Sequence, residues 1–343
     1  MKRFAWTQPT SLASAAAFAE TTVADAMVAL RPDTHAGHGA VLQAGGIDNL
    51  DLMKEELLQP NLVISLRAIP GLDKIEKQEA SWRIGAGTTL MAVAGHPAVQ
   101  ARFPALATCL NQSGSPQIRA VATLGGNLLQ RPRCWYFRSI AFDCLRKGGG
   151  HCFAILGENA YHAVFDNEVC AIVHPSSVAT VLVALGASVE LTGPNGATRR
   201  LLLEDFLVRP KQNVRRENDL QPREILTAIL LPNPSASVRM AYLRLGEKQA
   251  FDWPLVDAAV ILELDASSVC RQGVICLGAV APTPYRPRAA EATLAGKVID
   301  VPTARSAART ALDGAMPLAH NEFKLPLIET VLRRAILRAA NPV

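Results

Sequence analysis

Four cysteines lie in one short polar stretch of this 343-residue chain, a pattern suited to metal binding. They are Cys134, Cys144, Cys152 and Cys170, separated by nine, seven and seventeen residues. The spacing matches neither the close Cys-x-x-Cys pairs of structural zinc sites nor that of plant-type two-iron clusters. Four thiolates on one irregular loop are nevertheless the standard ligand set of a four-iron cluster. The alternatives are four unrelated thiols, or two disulfides in an oxidising compartment.

The segment that carries these cysteines, residues 131–173, has little periodicity and is called the cysteine loop below. It contains the sequence Lys-Gly-Gly-Gly, whose glycines give the backbone freedom to curl around a cluster. Its first part also carries five cations that are expected to offset the negative charge of a cluster. These are Arg131, Arg133, Arg138, Arg146 and Lys147.

Three further cysteines lie in apolar surroundings. Cys109, Cys270 and Cys276 are expected to be buried thiols that act as small hydrophobic side chains.

Two glycine-containing turns have residue types that can hold an anion. The first, in "QAGGIDNLDLMK" (residues 43–54), follows a predicted strand and precedes a predicted helix, whose positive end favours a phosphate. The second, in "ATLGGNLLQ", combines a hydroxyl, bare backbone and an amide side chain at residues 123–127. Neither is the Gly-x-Gly-x-x-Gly of a dinucleotide-binding unit. Each of the two taken alone is compatible with an ordinary turn. One extended diphosphate ligand held between the two turns would explain why both are present.

Apolar periodicity predicts the elements that position these turns. A helix capped by Thr10 or Ser11 covers "TSLASAAAFAE", and strands cover "AVLQAGG", "NLVISL" and "SWRIGAGTTL". A helical stretch from "GHPAV" onward is broken near Pro104 and stopped by Gly114. The strand "REILTAILLP" ends at Pro232, and beyond "LPNPSAS" two antiparallel strands and two helices follow. The pattern predicts a larger α+β part followed by a smaller one.

Composition excludes several classes of protein. With 49% hydrophobic and 19% charged residues, the chain has the profile of a globular protein of two or three domains. The net charge is +5, but the basic residues are scattered, so nucleic-acid binding is not expected. No apolar stretch is long enough to span a membrane. Polar residues interrupt the alanine-rich start, so we expect no export signal.

Together these motifs resemble the FAD-binding medium subunit of molybdenum hydroxylases, the xanthine dehydrogenase and carbon monoxide dehydrogenase group. The resemblance is carried by "AGGIDNLDLMK", "SPQIRAVATLGGNLLQ" and "LGAVAPTPYRPRAAEATLAGK", and it extends from "AWTQPTSLASA" to about residue 300. Within the group, the chain looks most like the flavin subunit of periplasmic aldehyde oxidoreductases, which carries an extra four-iron cluster. "NLLQRPRCWYF", "GGGHC" and "VCAIVHPS" carry that closer resemblance.

The resemblance implies an α+β fold in two domains. Residues 1–232 would form an FAD-binding domain of two α/β subdomains, split near residue 60, with the iron–sulfur loop inserted at 131–173. Residues 233–343 would form a C-terminal domain of antiparallel sheet and helices. The implied partners are a large subunit with the molybdenum cofactor and a small subunit with [2Fe-2S] clusters. The location is expected to be cytoplasmic, or periplasmic by co-export with a partner that bears a signal.

The resemblance also implies cofactor contacts, although it implies no catalytic residue. The first glycine turn would receive the FAD diphosphate, the second would complete that site, and two basic residues would lie near the flavin. The four cysteines of the cysteine loop would ligate a [4Fe-4S] cluster. The residues implied to contact FAD are Ala44, Gly45, Gly46, Ile47, Asp48, Asn49, Leu50, Ser115, Thr123, Gly126, Asn127, Lys211 and Arg244.

Three positions depart from the family pattern. Ile47 and Asp48 follow the paired glycines where the family usually has Ser or Thr and a neutral residue, and Ser177 stands where it often has Asp. A carboxylate facing a diphosphate would repel it by on the order of several kcal/mol in a poorly hydrated site. Alternatively, Asp48 is expected to cap the helix that follows.

The main hypothesis is an electron-transfer subunit that accepts electrons from two-iron clusters onto FAD and passes them to an external acceptor. The departures at Ile47, Asp48 and Ser177 motivate an alternative, a cluster-bearing scaffold subunit without working FAD. A stand-alone FAD-dependent oxidase is the third hypothesis, although no motif in the sequence places a catalytic base.

Overall fold

The computed structural model describes residues 1–27, 39–249 and 251–341. The chain forms two compact units, each built from three separate stretches of sequence. The first unit comprises Met1–Ala92, Pro116–Ala154 and Ser188–Leu231, and the second comprises Val93–Ser115, Ile155–Ala187 and Pro232–Val343. The predicted α+β fold class is confirmed, while the predicted division into residues 1–232 and 233–343 stays a prediction.

A small parallel sheet opens the first unit. Its strands are β1 (Ala5–Thr7), β2 (Ala40–Gln43) and β3 (Leu62–Ser65), in the order β1-β3-β2. The helix α1 (Leu12–Phe18) begins where the sequence predicts, because the Ser11 hydroxyl accepts the Ser14 N–H at 3.2 Å. The helix α2 (Ile47–Lys54) follows β2 directly. The strand-to-helix connection at Gly45–Gly46 is therefore the first predicted turn.

A second sheet in the first unit has five strands in the order β4-β5-β8-β6-β7. The central strand β8 is buried along almost its whole length, which explains its continuous apolar run. The strands are β4 (Ile75–Lys77), β5 (Ser81–Gly85), β6 (Ser188–Thr192), β7 (Thr198–Leu202) and β8 (Ile225–Pro232). The short helices α6 (Pro116–Val121), α7 (Leu124–Leu128) and α9 (Leu203–Phe206) complete this unit, and α3 (Leu90–Gly95) ends just beyond it.

An antiparallel sheet forms the centre of the second unit. Its strands are β9 (Val238–Leu245), β10 (Val256–Leu264) and β11 (Cys270–Gly278), in the order β11-β10-β9. Sequence patterning identified β10 and β11 but missed β9. The helices are α4 (Pro97–Arg102), α5 (Pro104–Gln112), α8 (Ser177–Ala184), α10 (Arg288–Leu294), α11 (Val301–Thr310) and α12 (Lys324–Ala340), of which α12 packs against β9 and β10.

Several local expectations for the second unit are confirmed. The helical stretch breaks at Pro104, because a proline favours the first turn of a helix over its interior. Cys109, Cys270 and Cys276 are fully buried.

Within the described residues, no helix combines the length and the apolar character that a membrane crossing needs.

Candidate functional site

The first and second glycine turns lie against each other in the first unit. Gly46 has a φ of +79°, a left-handed conformation that glycine adopts without strain. A Cβ at Gly45 would overlap the carbonyl oxygen of Val121 and lie 3.1 Å from the Cα of Ala122. Thr123, the first residue of the second turn, follows immediately. Two segments far apart in sequence therefore meet at their backbones, as the hypothesis of one shared ligand requires.

A third glycine turn packs against the second, and sequence reasoning missed its role. It comprises residues 85–88 and begins at the last residue of β5. The N–H of Gly125 donates to the Ala86 carbonyl at 2.8 Å, and the N–H of Leu124 donates to the Thr88 carbonyl at 2.9 Å. A Cβ at Gly125 would lie 2.8 Å from the Ala86 Cβ. The only sequence signal was the glycine pair in "SWRIGAGTTL".

The first turn presents backbone donors at the start of α2. Gly46 is the N-cap and provides no side-chain cap, so the N–H groups of Ile47, Asp48 and Asn49 have no acceptor within the helix. These groups and the positive end of the helix favour an anion. The Asn49 side chain donates to the Leu42 carbonyl at 2.9 Å and so fixes the turn.

The second turn begins α7 and is capped by Thr123. Its Oγ1 accepts the Gly126 N–H at 3.1 Å, which leaves the hydroxyl proton available to donate. Gly126 is exposed and Asn127 is half-buried.

Two buried polar atoms beside the turns have no hydrogen-bond partner within the described residues. They are Oε1 of Gln43, next to the first turn, and Oγ1 of Thr88, in the third. The Gln43 side chain lies beside Gly46, where a Cβ would come within 2.8 Å of Nε2. Buried polar atoms normally have partners, so this pair marks a place shaped for a polar ligand. The closely approaching backbones fit the diphosphate of FAD, while the Gln43 acceptor and the Thr88 hydroxyl suit the hydroxyl groups of its sugar-alcohol part. Neither residue was identified from the sequence.

The expected helix cap by Asp48 is wrong. Its Oδ2 accepts the backbone N–H of Arg131 at 2.8 Å, and its Oδ1 lies 2.8 Å from Arg133 Nη2 and 2.7 Å from Arg138 Nη2. Both guanidinium groups also reach Asp51 Oδ2 at 3.0 Å. The cause is the cysteine loop, which brings two arginines to α2. The local sequence around Asp48 gives no sign of these distant partners.

Two more arginines of the cysteine loop pair with a buried carboxylate. Arg131 Nε lies 2.9 Å from Glu217 Oε2, and Arg146 Nη1 lies 2.5 Å from Glu217 Oε1. Burial alone would raise the pKa of Glu217, but the charges of Arg131 and Arg146 outweigh it and hold the pKa below 4.5. Four of the five cations expected to face a cluster therefore have carboxylate partners.

The fifth cation, Lys147, lies beside two of the four cysteines. Its amine is buried and donates to the Ser139 carbonyl. Burial lowers the pKa of Lys147, while the negative charge of Cys144 and Cys134 in their thiolate form acts in the opposite direction. A Cβ at Gly149 would overlap the Asp143 carbonyl, so the glycine run folds tightly here.

The four cysteines are divided between the two units. Cys134, Cys144 and Cys152 belong to the first unit, whereas Cys170 is a buried residue of the second. In the part of the chain that the structure describes, no group of three or more His, Cys, Asp or Glu side chains could hold a metal ion. The structure thus gives no support to the predicted [4Fe-4S] cluster, which stays a prediction.

The remaining predicted FAD contacts lie in different places. Lys211 is exposed in the first unit, and Ser115 ends a segment of the second. Arg244, in β9, donates to the Gln112 carbonyl at 2.8 Å and to the Asp252 carbonyl at 2.7 Å. Their roles near FAD stay predictions.

Ser177, the third departure from the family pattern, has a partner within the second unit. Its hydroxyl donates to Asp257 Oδ2 at 2.8 Å. Burial raises the pKa of Asp257 to about 6, against the effect of this hydrogen bond.

Comparison with known proteins identifies two sequence families in the chain. The family described as "FAD binding domain in molybdopterin dehydrogenase" matches residues 2–234. The family described as "CO dehydrogenase flavoprotein C-terminal domain" matches residues 241–339.

Individual relatives match over most of the chain. The aldehyde oxidoreductase FAD-binding subunit PaoB of Escherichia coli is 36% identical over 304 residues, which cover 88% of this chain and 92% of the relative. The carbon monoxide dehydrogenase medium chain of Afipia carboxidovorans is 29% identical over 93% of this chain and 94% of the relative. A solved structure of reconstituted CO dehydrogenase from Oligotropha carboxidovorans superposes with a TM-score of 0.74 and 25% identity, covering 100% of this chain and 99% of that chain.

Proposed function

Because the chain belongs to the family of FAD-binding subunits of molybdenum hydroxylases, we propose that it is the electron-transfer flavoprotein subunit of such a complex. In this role it takes electrons from the [2Fe-2S] clusters of a small partner subunit and passes them to an external acceptor. When bound, FAD supplies the ability to receive electrons singly and to release them singly or in pairs. The chain's own residues bind and orient it.

We place the FAD diphosphate at the three glycine turns. The contact of Gly45 with Val121 and Ala122 carries this assignment, since it joins the first two turns into one site. The N–H groups at the start of α2 would receive the phosphates, and the Thr123 hydroxyl can donate to the same ligand. The unpaired buried oxygens of Gln43 and Thr88 would accept from hydroxyl groups of the adjoining sugar-alcohol part of FAD.

The proposed partners are a large subunit with the molybdenum cofactor and a small subunit with [2Fe-2S] clusters. The relatives support this, because their names describe an FAD-binding subunit and a medium chain rather than complete enzymes. The 36% identity with an aldehyde oxidoreductase subunit favours aldehydes as the substrates of the complex. Oxidation of the substrate then takes place on the large subunit. We propose that the complex resides in the cytoplasm, or in the periplasm after co-export with a signal-bearing partner.

We also propose that Cys134, Cys144, Cys152 and Cys170 bind a [4Fe-4S] cluster. Its support is the ligand set itself, since four cysteines on one loop are the standard ligands of such a cluster. No electron-transfer step is assigned to it.

The experiment is to isolate the native complex and quantify its subunits, flavin, iron and molybdenum. We expect one FAD for each copy of this chain, released on denaturation and identified by its absorbance. A complex that contains the chain but no flavin would contradict the proposal and favour the scaffold alternative. An active monomer would favour the stand-alone oxidase. Iron beyond that of the small subunit's clusters would support the four-cysteine site, and its absence would refute that site alone.

A further inference from the structure

The cysteine loop supplies the positive charge that the first glycine turn lacks. Asp48 lies in the first turn of α2, among the N–H groups proposed to bind the diphosphate, and Asp51 lies one turn further along. Two carboxylates at this position would oppose an anionic ligand. Arg133 and Arg138 come from the cysteine loop, more than eighty residues away in sequence, and pair with both.

The charges in this cluster cancel. Asp48 and Asp51 contribute two negative charges and Arg133 and Arg138 two positive charges, so the net charge is zero. Asp48 and the arginines are mostly shielded from solvent, with side-chain exposures of 13%, 24% and 12%, so solvent screens their interactions only in part. Without the arginines, the first turn of α2 would carry the uncompensated charge of Asp48, and the half-exposed Asp51 would add a second, better screened negative charge one turn along.

Asp48 in turn holds the cysteine loop in place. Besides its two ion pairs it accepts the backbone N–H of Arg131, and Arg138 donates through Nε to the Pro132 carbonyl at 2.7 Å. The start of the loop is therefore fixed to α2 by main-chain and side-chain contacts together.

We propose that Arg133 and Arg138 are positioning residues of the FAD site, which make the first glycine turn able to bind the diphosphate by neutralising Asp48. The cysteine loop is then part of the flavin site through its arginines, whether or not its cysteines bind iron. This inference rests on the proposed FAD site, and it explains how the chain accommodates an acidic residue after the paired glycines.

The test uses the full-length chain freed of flavin, with FAD affinity measured by quenching of flavin fluorescence. The double variant Arg133→Gln/Arg138→Gln leaves Asp48 uncompensated, and we expect FAD affinity to fall about tenfold, an ordinary size for coupling between groups. Adding Asp48→Asn to this double variant removes the repelling charge, and we expect affinity to recover to within about threefold of wild type.

The recovery separates a charge effect from a structural one. Asp48→Asn also weakens the acceptor for the Arg131 N–H, so a purely structural role predicts a further loss of FAD in the triple variant. The single variant Arg133→Gln keeps Arg138 in place and should bind FAD with intermediate affinity. It replaces the double variant in the test if the double variant does not fold.

The control is Arg199→Gln, which removes a guanidinium of the same unit that pairs with Asp219 at 2.9 Å and Glu224 at 2.7 Å. Its FAD affinity should equal that of wild type. Unchanged FAD affinity in Arg133→Gln/Arg138→Gln, or no recovery on adding Asp48→Asn, overturns the inference while the proposed function stands. A wild-type chain that binds no FAD overturns both.

Discussion

Gly45 and Val121 lie so close that the first glycine turn has no room for a side chain. A Cβ at Gly45 would overlap the Val121 carbonyl. The atoms it would meet belong to the backbone, so no flexible side chain can move aside to make room for it. The relationship joins two turns separated by more than seventy residues, and the assignment of one ligand to both depends on it.

The variant Gly45→Ala should therefore lose FAD. Forcing the two turns apart costs about 1–3 kcal/mol of overpacking, so we expect FAD affinity to fall about tenfold or more. Equilibrium dialysis of FAD against the full-length chain measures this. The control is Gly95→Ala, where the added Cβ meets nothing within 4 Å. Equal FAD affinity in Gly45→Ala and wild type would contradict the placement of the site.

Replacing Thr88 should affect the flavin-free and the FAD-bound chain differently. Its hydroxyl is buried without a partner in the described residues, so Thr88→Val should leave the flavin-free chain as stable as wild type, or stabilise it by about 1 kcal/mol. In the presence of FAD the same variant should bind the cofactor more weakly, because the hydroxyl is proposed to contact it. Urea unfolding with and without FAD separates the two effects. Destabilisation of the flavin-free chain would show that the hydroxyl has a structural partner.

Glu217 should be required for stability at neutral pH. Glu217→Gln leaves the buried charges of Arg131 and Arg146 without their carboxylate, so we expect a loss of about 3 kcal/mol in the free energy of unfolding. The matched variant Glu224→Gln removes the carboxylate that pairs with the half-exposed Arg199 and should cost only about 1 kcal/mol.

The effect of Glu217 should also depend on pH. Because its pKa is lowered in the folded chain, its contribution is fully present above the unfolded value of 4.5 and is lost as the pH falls through the folded pKa. Unfolding measured at several pH values should show wild type and Glu217→Gln converging below pH 4.5. A constant difference down to strong acid would argue against the ion pairs as the cause.

Cys144 tests the proposed cluster. Cys144→Ser should lower the iron content of the isolated complex and reduce the broad iron–sulfur absorbance, since a hydroxyl is a poor substitute for a thiolate ligand. Cys270→Ala changes an equally buried cysteine outside the cysteine loop and should keep the wild-type iron content. Iron content unchanged in Cys144→Ser would remove this residue from the ligand set.

The sequence predicted best where the cause of structure is local. Neighbouring residues alone explain three features: the helix cap at Ser11, the helix break at Pro104 and the continuous apolar sequence of the buried strand β8. The third glycine turn was missed because its role depends on a tertiary contact, the packing of Ala86 against Gly125, that the local sequence does not show.

The charges were harder to interpret than the strands and helices. Arg131 and Arg146 were expected to face a cluster, yet their partner Glu217 lies about seventy residues or more along the chain. The role of Asp48 was wrong for the same reason, since its arginines arrive from another segment. Sequence gives the sign of a charge, whereas its partner depends on the tertiary fold.

The central position of β8 has a consequence for biosynthesis. The third glycine turn is held to this strand, because the Ala86 N–H donates to the Thr227 carbonyl at 2.9 Å, and β8 stands between β5 and β6. A ribosome makes residues 225–232 long after the glycines that depend on them. The proposed flavin site is thus incomplete in the nascent chain until that strand has emerged from the exit tunnel, and cofactor capture there would follow its emergence.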